Sequence, residues 1–133
     1  MPTLDQFRAL YAEIIDAFNR RDWGPVIDGF PERFEWHFLS EIVDRPGPAR
    51  PNELGAALAD LLAQFPDLQA EPAEIVEAGP GRFVVRLAAH GAGAASGAAL
   101  RFELSQLWEF EGEEPVRAHE FLNFDDALAK ARQ

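Results

Sequence analysis

The chain is 133 residues long, 47% hydrophobic and 26% charged, which supports one globular domain and, at a folded radius of about 14 Å, one small-molecule-sized pocket at most. Twenty-three acidic residues against twelve basic ones give a formal charge of -11, so phosphate backbones and anionic membrane surfaces are repelled on average. The absence of cysteine excludes disulfides, thiolate nucleophiles and Cys-ligated metal centres. MPTLDQFRALYAEI has neither the basic start nor the apolar run of a signal peptide, and no 18-residue apolar stretch occurs. A cytoplasmic protein without nucleic-acid or membrane partners is expected.

Thr3 followed by Gln6 has the spacing of a reciprocal cap, which predicts a helix start. Phe7, Leu10, Tyr11, Ile14, Ile15 and Phe18 then recur at helical steps to about Arg21. Asp22 is expected to cap a short second helix with Pro25 in its first turn and Val26, Ile27 and Phe30 inward; Pro31 ends it. FEWHFL (34 to 39) alternates as a strand, and the prolines of SEIVDRPGPARP (40 to 51) make a long loop. Asn52 is expected to cap a third helix bearing Leu54, Leu58, Leu61, Leu62 and Phe65, closed by Pro66.

The remainder reads as extended segments at 68 to 78, 82 to 90, 99 to 111 and 115 to 124. They are divided by Gly79-Pro80-Gly81, a Gly/Ala/Ser stretch at 91 to 98, and Gly112 among acidic neighbours, and Asp125 is expected to cap a last helical turn. This order implies an α+β domain, with helices gathered on one face of a curved antiparallel sheet. The clustered glycines at 91 to 97 lack phosphate-loop spacing.

The chain resembles the SnoaL-like branch of the nuclear transport factor 2-like superfamily. The resemblance is carried by AFNRRDWGPVIDGF (17 to 30), FEWHF (34 to 38), LADLLAQFPDL (58 to 68), SQLWEFEGEEPVRAHEFLNF (105 to 124) and DDALAKA (125 to 131). It implies a cone-shaped curved antiparallel sheet wrapped around three N-terminal helices and enclosing one pocket, commonly in a homodimer. Its relatives include ketosteroid isomerases, polyketide cyclases and limonene epoxide hydrolases. Against the steroid isomerases, the base, tyrosine and protonated-acid positions fall on Trp36, Ile14 and Gln106, so base and tyrosine are missing, and Tyr11 lies one turn away. Against the epoxide hydrolases, the acid pair and bridging arginine fall on His90, Glu120 and Ala88, with Arg86 available as a substitute cation.

Alternation singles out two polar residues independently. Leu100, Phe102, Leu104, Trp108 and Phe110 share a face with Gln106, and Val116, Ala118, Leu122 and Phe124 share one with Glu120. A carboxylate among apolar neighbours loses hydration and has its pKa raised, which makes it a usable base near neutral pH. The third strand is ambiguous, because Phe83, Val85 and Leu87 occupy one parity and Val84, Arg86, Ala88 and His90 the other. The resemblance places the second set inside, which would leave Phe83, Val85 and Leu87 on the convex face, to be covered by a homodimer partner.

The resulting expectation is a cofactor-free isomerase, cyclase or hydrolase acting on an apolar, ring-containing substrate. Glu120 with His90 would move protons, Gln106 and Tyr11 would orient an oxygen, Arg86 would supply positive charge, and Phe18, Trp36, Leu58, Trp108 and Leu122 would wrap the ligand. No metal is expected, since His37 and His119 fall on the outward parity. Plainer readings stand beside this one: an Arg86–Glu120 structural ion pair, Gln106 serving a backbone group, Tyr11, Trp36 and Trp108 as core aromatics, a binding module for a hydrophobic metabolite, or a sheet-mediated dimerisation adaptor.

Overall fold

The computed structural model describes residues 1–92 and 97–133, and part of the Gly/Ala/Ser turn expected at 91 to 98 lies outside them. Helix α1 (Leu4–Asn19) begins at the expected reciprocal cap, with Thr3 Oγ1 accepting from Gln6 N and Gln6 Oε1 accepting from Thr3 N. Its buried stripe of Phe7, Tyr11, Ile14 and Ala17 lies on the sheet. Helix α2 (Gly24–Asp28) has Trp23, not Asp22, at its cap position and no side-chain cap. Strand β1 (Glu35–His37) keeps only three residues of the predicted segment. Helix α3 (Pro51–Gln64) starts earlier than expected, with Arg50 at the cap and Pro51 in the first turn, where its missing N–H costs nothing. Asn52 is therefore inside the helix, and Glu53 Oε1 reaches back to Arg50 N.

Strands β2 (Gln69–Gly79), β3 (Arg82–Ala92), β4 (Ala99–Glu111) and β5 (Glu114–Phe121) follow, then helix α4 (Phe124–Ala131). The cap of α4 is Asn123, accepting from Asp126 N, and not Asp125. The β2–β3 turn needs glycine at position 81: φ is +68°, and a Cβ there would stand 3.2 Å from the Phe110 carbonyl oxygen. The five strands form one curved, unclosed sheet in the order β1-β5-β4-β3-β2. Neighbours are antiparallel except β1 and β5, which run parallel. No tight turn links those two, so their relative direction is unconstrained.

Register and burial decide the parity of β3. Phe83 pairs with Trp108, Trp108 with Ala118, and Ala118 with Trp36, so these four form one row across the sheet. Val85, Gln106 and Glu120 form the next row. Phe83, Val85 and Leu87 join Phe7, Tyr11, Ile14, Leu54 and Trp108 in the main core, which is the reverse of the parity implied by the resemblance. Val84 and Leu107, on the opposite face, pack under Ala127 and Ala131 of α4. The convex apolar positions thus have a cover within the chain, and the apolar face that motivated a homodimer is part of the core.

Trp108 is the centre of that core. Its ring centroid lies 5.2 Å from Trp36, 5.8 Å from Phe34, 5.9 Å from Tyr11 and 6.1 Å from Phe7, contacts contributing roughly 0.5–1.5 kcal/mol each beyond area burial. The β2 edge is tied to α1 by Asn19, whose Nδ2 donates to Ala70 O at 2.8 Å and whose Oδ1 accepts from Ala70 N at 2.9 Å. Asn19→Ala removes both bonds. The expected cost is about 2 kcal/mol, or a melting midpoint lower by about 5–10 °C in a thermal scan. No helix among the described residues is long and apolar enough to cross a membrane.

Candidate functional site

Between the concave face of the sheet and α1, α2, α3 and the segment after β1 lies a cavity of about 90 Å³. Its walls come from every one of these elements: Ile14 and Phe18 from α1, Trp23, Val26, Ile27 and Phe30 in and around α2, Leu54, Leu58 and Leu61 from α3, and Leu87, Ala89, Phe102 and Leu104 from the sheet. Trp36, Phe38, Ile42 and Val43 close it beside β1. Among the described residues two polar side chains interrupt this lining, Gln106 and Glu120.

These two residues are directly opposed in register on β4 and β5, and both are buried. Glu120 Oε2 accepts from Gln106 Nε2 at 2.9 Å and from Trp36 Nε1 at 3.3 Å, while Oε1 accepts from Leu39 N at 3.0 Å. Gln106 Oε1 accepts from Tyr11 Oη at 2.8 Å and from Trp108 Nε1 at 3.0 Å. The two donors on Gln106 Oε1 fix the amide's orientation, so its Nε2 must face the carboxylate.

The electrostatics follow from this geometry. Burial pushes the Glu120 carboxyl up from the ordinary carboxylate range, and the bonds from Leu39, Gln106 and Trp36 oppose that shift without cancelling it. Burial also raises Tyr11 well above a normal phenol, with the Glu120 charge adding to the effect, so Tyr11 stays a neutral donor. No described Arg, Lys or His forms an ion pair with Glu120. Arg86 lies on the opposite face, 3.4 Å from Glu74 and 3.9 Å from Glu103, with its guanidinium over the Phe124 ring at 4.5 Å. The ion-pair reading of Arg86 and Glu120 is therefore overturned, and Arg86 cannot serve the cavity.

The other expected site residues divide cleanly. Phe18, Trp36 and Leu58 line the cavity. Tyr11 and Trp108 stand one layer behind it, fully buried, holding Gln106. His90 is exposed on the outward parity of β3, so the His90–Glu120 pair does not form. Leu122 is 60% exposed, because β5 ends at Phe121 and the chain turns into α4. His37 and His119 are outward as expected, their rings stacked at 5.2 Å. Among the described residues no three acidic or histidine side chains are placed to hold a metal ion. The Leu39 amide carries no sequence signature, since every residue except proline offers a backbone N–H.

A protein-family model for the SnoaL-like domain matches residues 6–118. The chain belongs to the SnoaL-like domain family. Among proteins of curated function, none matches this SnoaL-like chain in sequence. Solved structures share its fold. A proposed SnoaL-like polyketide cyclase from Jannaschia sp. CCS1 superposes with a TM-score of 0.76 at 15% identity, covering 99% of this chain and 95% of that one. IdmH, a proposed polyketide cyclase from Streptomyces antibioticus, gives 0.73 at 16%, covering 93% and 96%. AclR, a proposed hydroxylase from Streptomyces galilaeus, gives 0.72 at 18%, covering 97% of each chain.

Proposed function

We propose that this SnoaL-like protein is a cofactor-free acid/base enzyme that takes a proton from a carbon acid in its apolar cavity, with Glu120 as the base. The observation that supports this reading is a buried carboxylate lining the cavity, given three neutral donors and, among the described residues, no cation. A cation beside Glu120 would hold its pKa low and make it a weak base; desolvation without one does the reverse. Oε2 already accepts two hydrogen bonds and Oε1 one, so one acceptor position remains, on Oε1. Oε1 is the atom that receives the proton.

In the forward step the substrate's α-C–H bond breaks, its proton forms an O–H with Glu120 Oε1, and the electron pair moves into the adjacent carbonyl to give an enolate. Gln106 Nε2 carries a second N–H beyond the one given to Glu120, and that donor is offered to the enolate oxygen. Returning the proton to another atom gives isomerisation; attack of the enolate carbon on a second carbonyl closes a ring, and the alkoxide formed there takes the proton back from Glu120. The same cavity without proton transfer would be a binding site for a hydrophobic metabolite.

Size adds a requirement. An apolar cavity of about 150 Å³ admits benzene, so a cavity of about 90 Å³ takes a ring only when its cover moves outward. The cover is α2, which has no buried residue and no side-chain cap, with Phe38 to Val43. The test is α-hydrogen exchange of cyclopentanone in deuterium oxide, followed by NMR. The protein is expected to accelerate exchange well beyond an equal concentration of acetate at the same pH. Exchange no faster than with acetate would contradict the assignment of Glu120 as a base.

A further inference from the structure

We propose that the cavity is also a binding site for a small trialkylammonium ion of trimethylammonium size, held between the Glu120 carboxylate and the surrounding aromatic rings. The inference rests, like the proposed function, on Glu120 lining the cavity, but it requires no proton transfer. Charge comes first. Glu120 is 9% exposed, and its donors are an indole, an amide side chain and a backbone amide, all neutral. A buried carboxylate without a counter-charge is a costly arrangement, and a cationic ligand supplies what the chain omits. An anionic ligand would meet the same carboxylate at close range and be repelled. The chain's net charge of -11 favours approach of cations over anions before contact.

The lining selects which cation. Phe18, Trp23, Phe30, Trp36, Phe38 and Phe102 face the cavity, and aromatic faces attract alkylammonium groups strongly when water is excluded. Hydrogen bonding narrows the choice further. Glu120 has one acceptor position left, on Oε1, and Gln106 Oε1 is already occupied by Tyr11 and Trp108. A primary ammonium would bring three N–H donors into a cavity with one acceptor for them, stranding two. A trialkylammonium brings one N–H and directs its methyl groups at the rings. Volume agrees with this choice: about 90 Å³, set against the roughly 150 Å³ that admits benzene, suits a ligand of about four heavy atoms.

The experiment titrates the full chain with trimethylammonium chloride at pH 7.5 and matched chloride concentration, following ¹H–¹⁵N NMR shifts, with tert-butanol as the neutral counterpart of similar size. Saturable binding at least tenfold tighter than tert-butanol is expected, with shifts centred on the Trp36 indole and Gln106 amide signals. Glu120→Gln is expected to weaken the ion at least tenfold and leave tert-butanol nearly unchanged. Phe18→Leu, which leaves every Glu120 hydrogen bond in place, should weaken the ion several-fold and serves if Glu120→Gln does not fold. Equal binding of the ion and tert-butanol, shifts spread over surface acids, or undiminished affinity in a folded Glu120→Gln variant would overturn the proposal. Trimethylammonium binding without cyclopentanone exchange would sink the catalytic reading alone.

Discussion

Glu120→Gln is expected to lower cyclopentanone exchange by about 10²–10⁴-fold, the range that a positioned general base supplies. The amide has nearly the size of the carboxylate but cannot take a proton at working pH, so the loss reports chemistry and not volume. One structural consequence must be separated from it. The carboxylate accepts from Leu39, Gln106 and Trp36, whereas a glutamine offers one oxygen and turns an NH₂ group toward at least one donor. The variant should therefore melt lower than wild type while keeping the native circular dichroism. Glu120→Asp keeps the charge and retracts it by one methylene, so intermediate exchange is expected from it. Full exchange by a folded Glu120→Gln variant would remove Glu120 from the mechanism.

Gln106→Leu is expected to cause the largest loss of stability of any single change at the site. Leucine fills a similar volume but strands the Tyr11 hydroxyl and the Trp108 indole N–H, both at fully buried residues, and strips one donor from Glu120. Each orphaned buried group costs about 1–3 kcal/mol, so a total of about 3–6 kcal/mol is expected, against a whole-domain stability of roughly 5–15 kcal/mol. Urea unfolding measures it, as a lower midpoint with an unchanged slope. A loss below about 1 kcal/mol would mean that these three groups find other partners. Tyr11→Phe should cost only about 1 kcal/mol, because Trp108 still occupies Gln106 Oε1.

Glu120 and Gln106 were legible in the sequence because each is the lone polar side chain on an otherwise apolar strand parity, and strand register then sets them opposite one another. The α1 start was legible for a similar local reason, since Thr3 and Gln6 cap each other within one turn. The third strand was not. From Phe83 to Val85 both of its faces are apolar, because α1 and α3 cover one side and α4 covers Val84 on the other. Alternation disappears wherever a strand is buried on both faces, and the parity implied by the resemblance was reversed there, taking Arg86 and His90 out of the site. Leu122 failed for another reason: the period of two holds only to Phe121, where the strand stops. The cover of the cavity depends on how α2 and the loop after β1 sit over the sheet, and no local pattern encodes that placement.

The raised carboxyl of Glu120 also has a sign for stability. A group whose folded pKa lies above its unfolded one contributes stability that is fully present below the unfolded value and is lost as pH rises through the folded value. For Glu120 that window opens at the ordinary glutamate pKa and ends at its raised folded value. Exchange activity runs the other way, increasing with pH through the folded value as the base ionises. Both follow from one quantity, the titration midpoint of a single carboxyl. The direct measurement is the ¹³C chemical shift of the Glu120 carboxyl across pH, assigned by its absence in Glu120→Gln. A midpoint above the ordinary glutamate range is the predicted result; a midpoint within or below that range would contradict an uncompensated carboxylate in an apolar cavity.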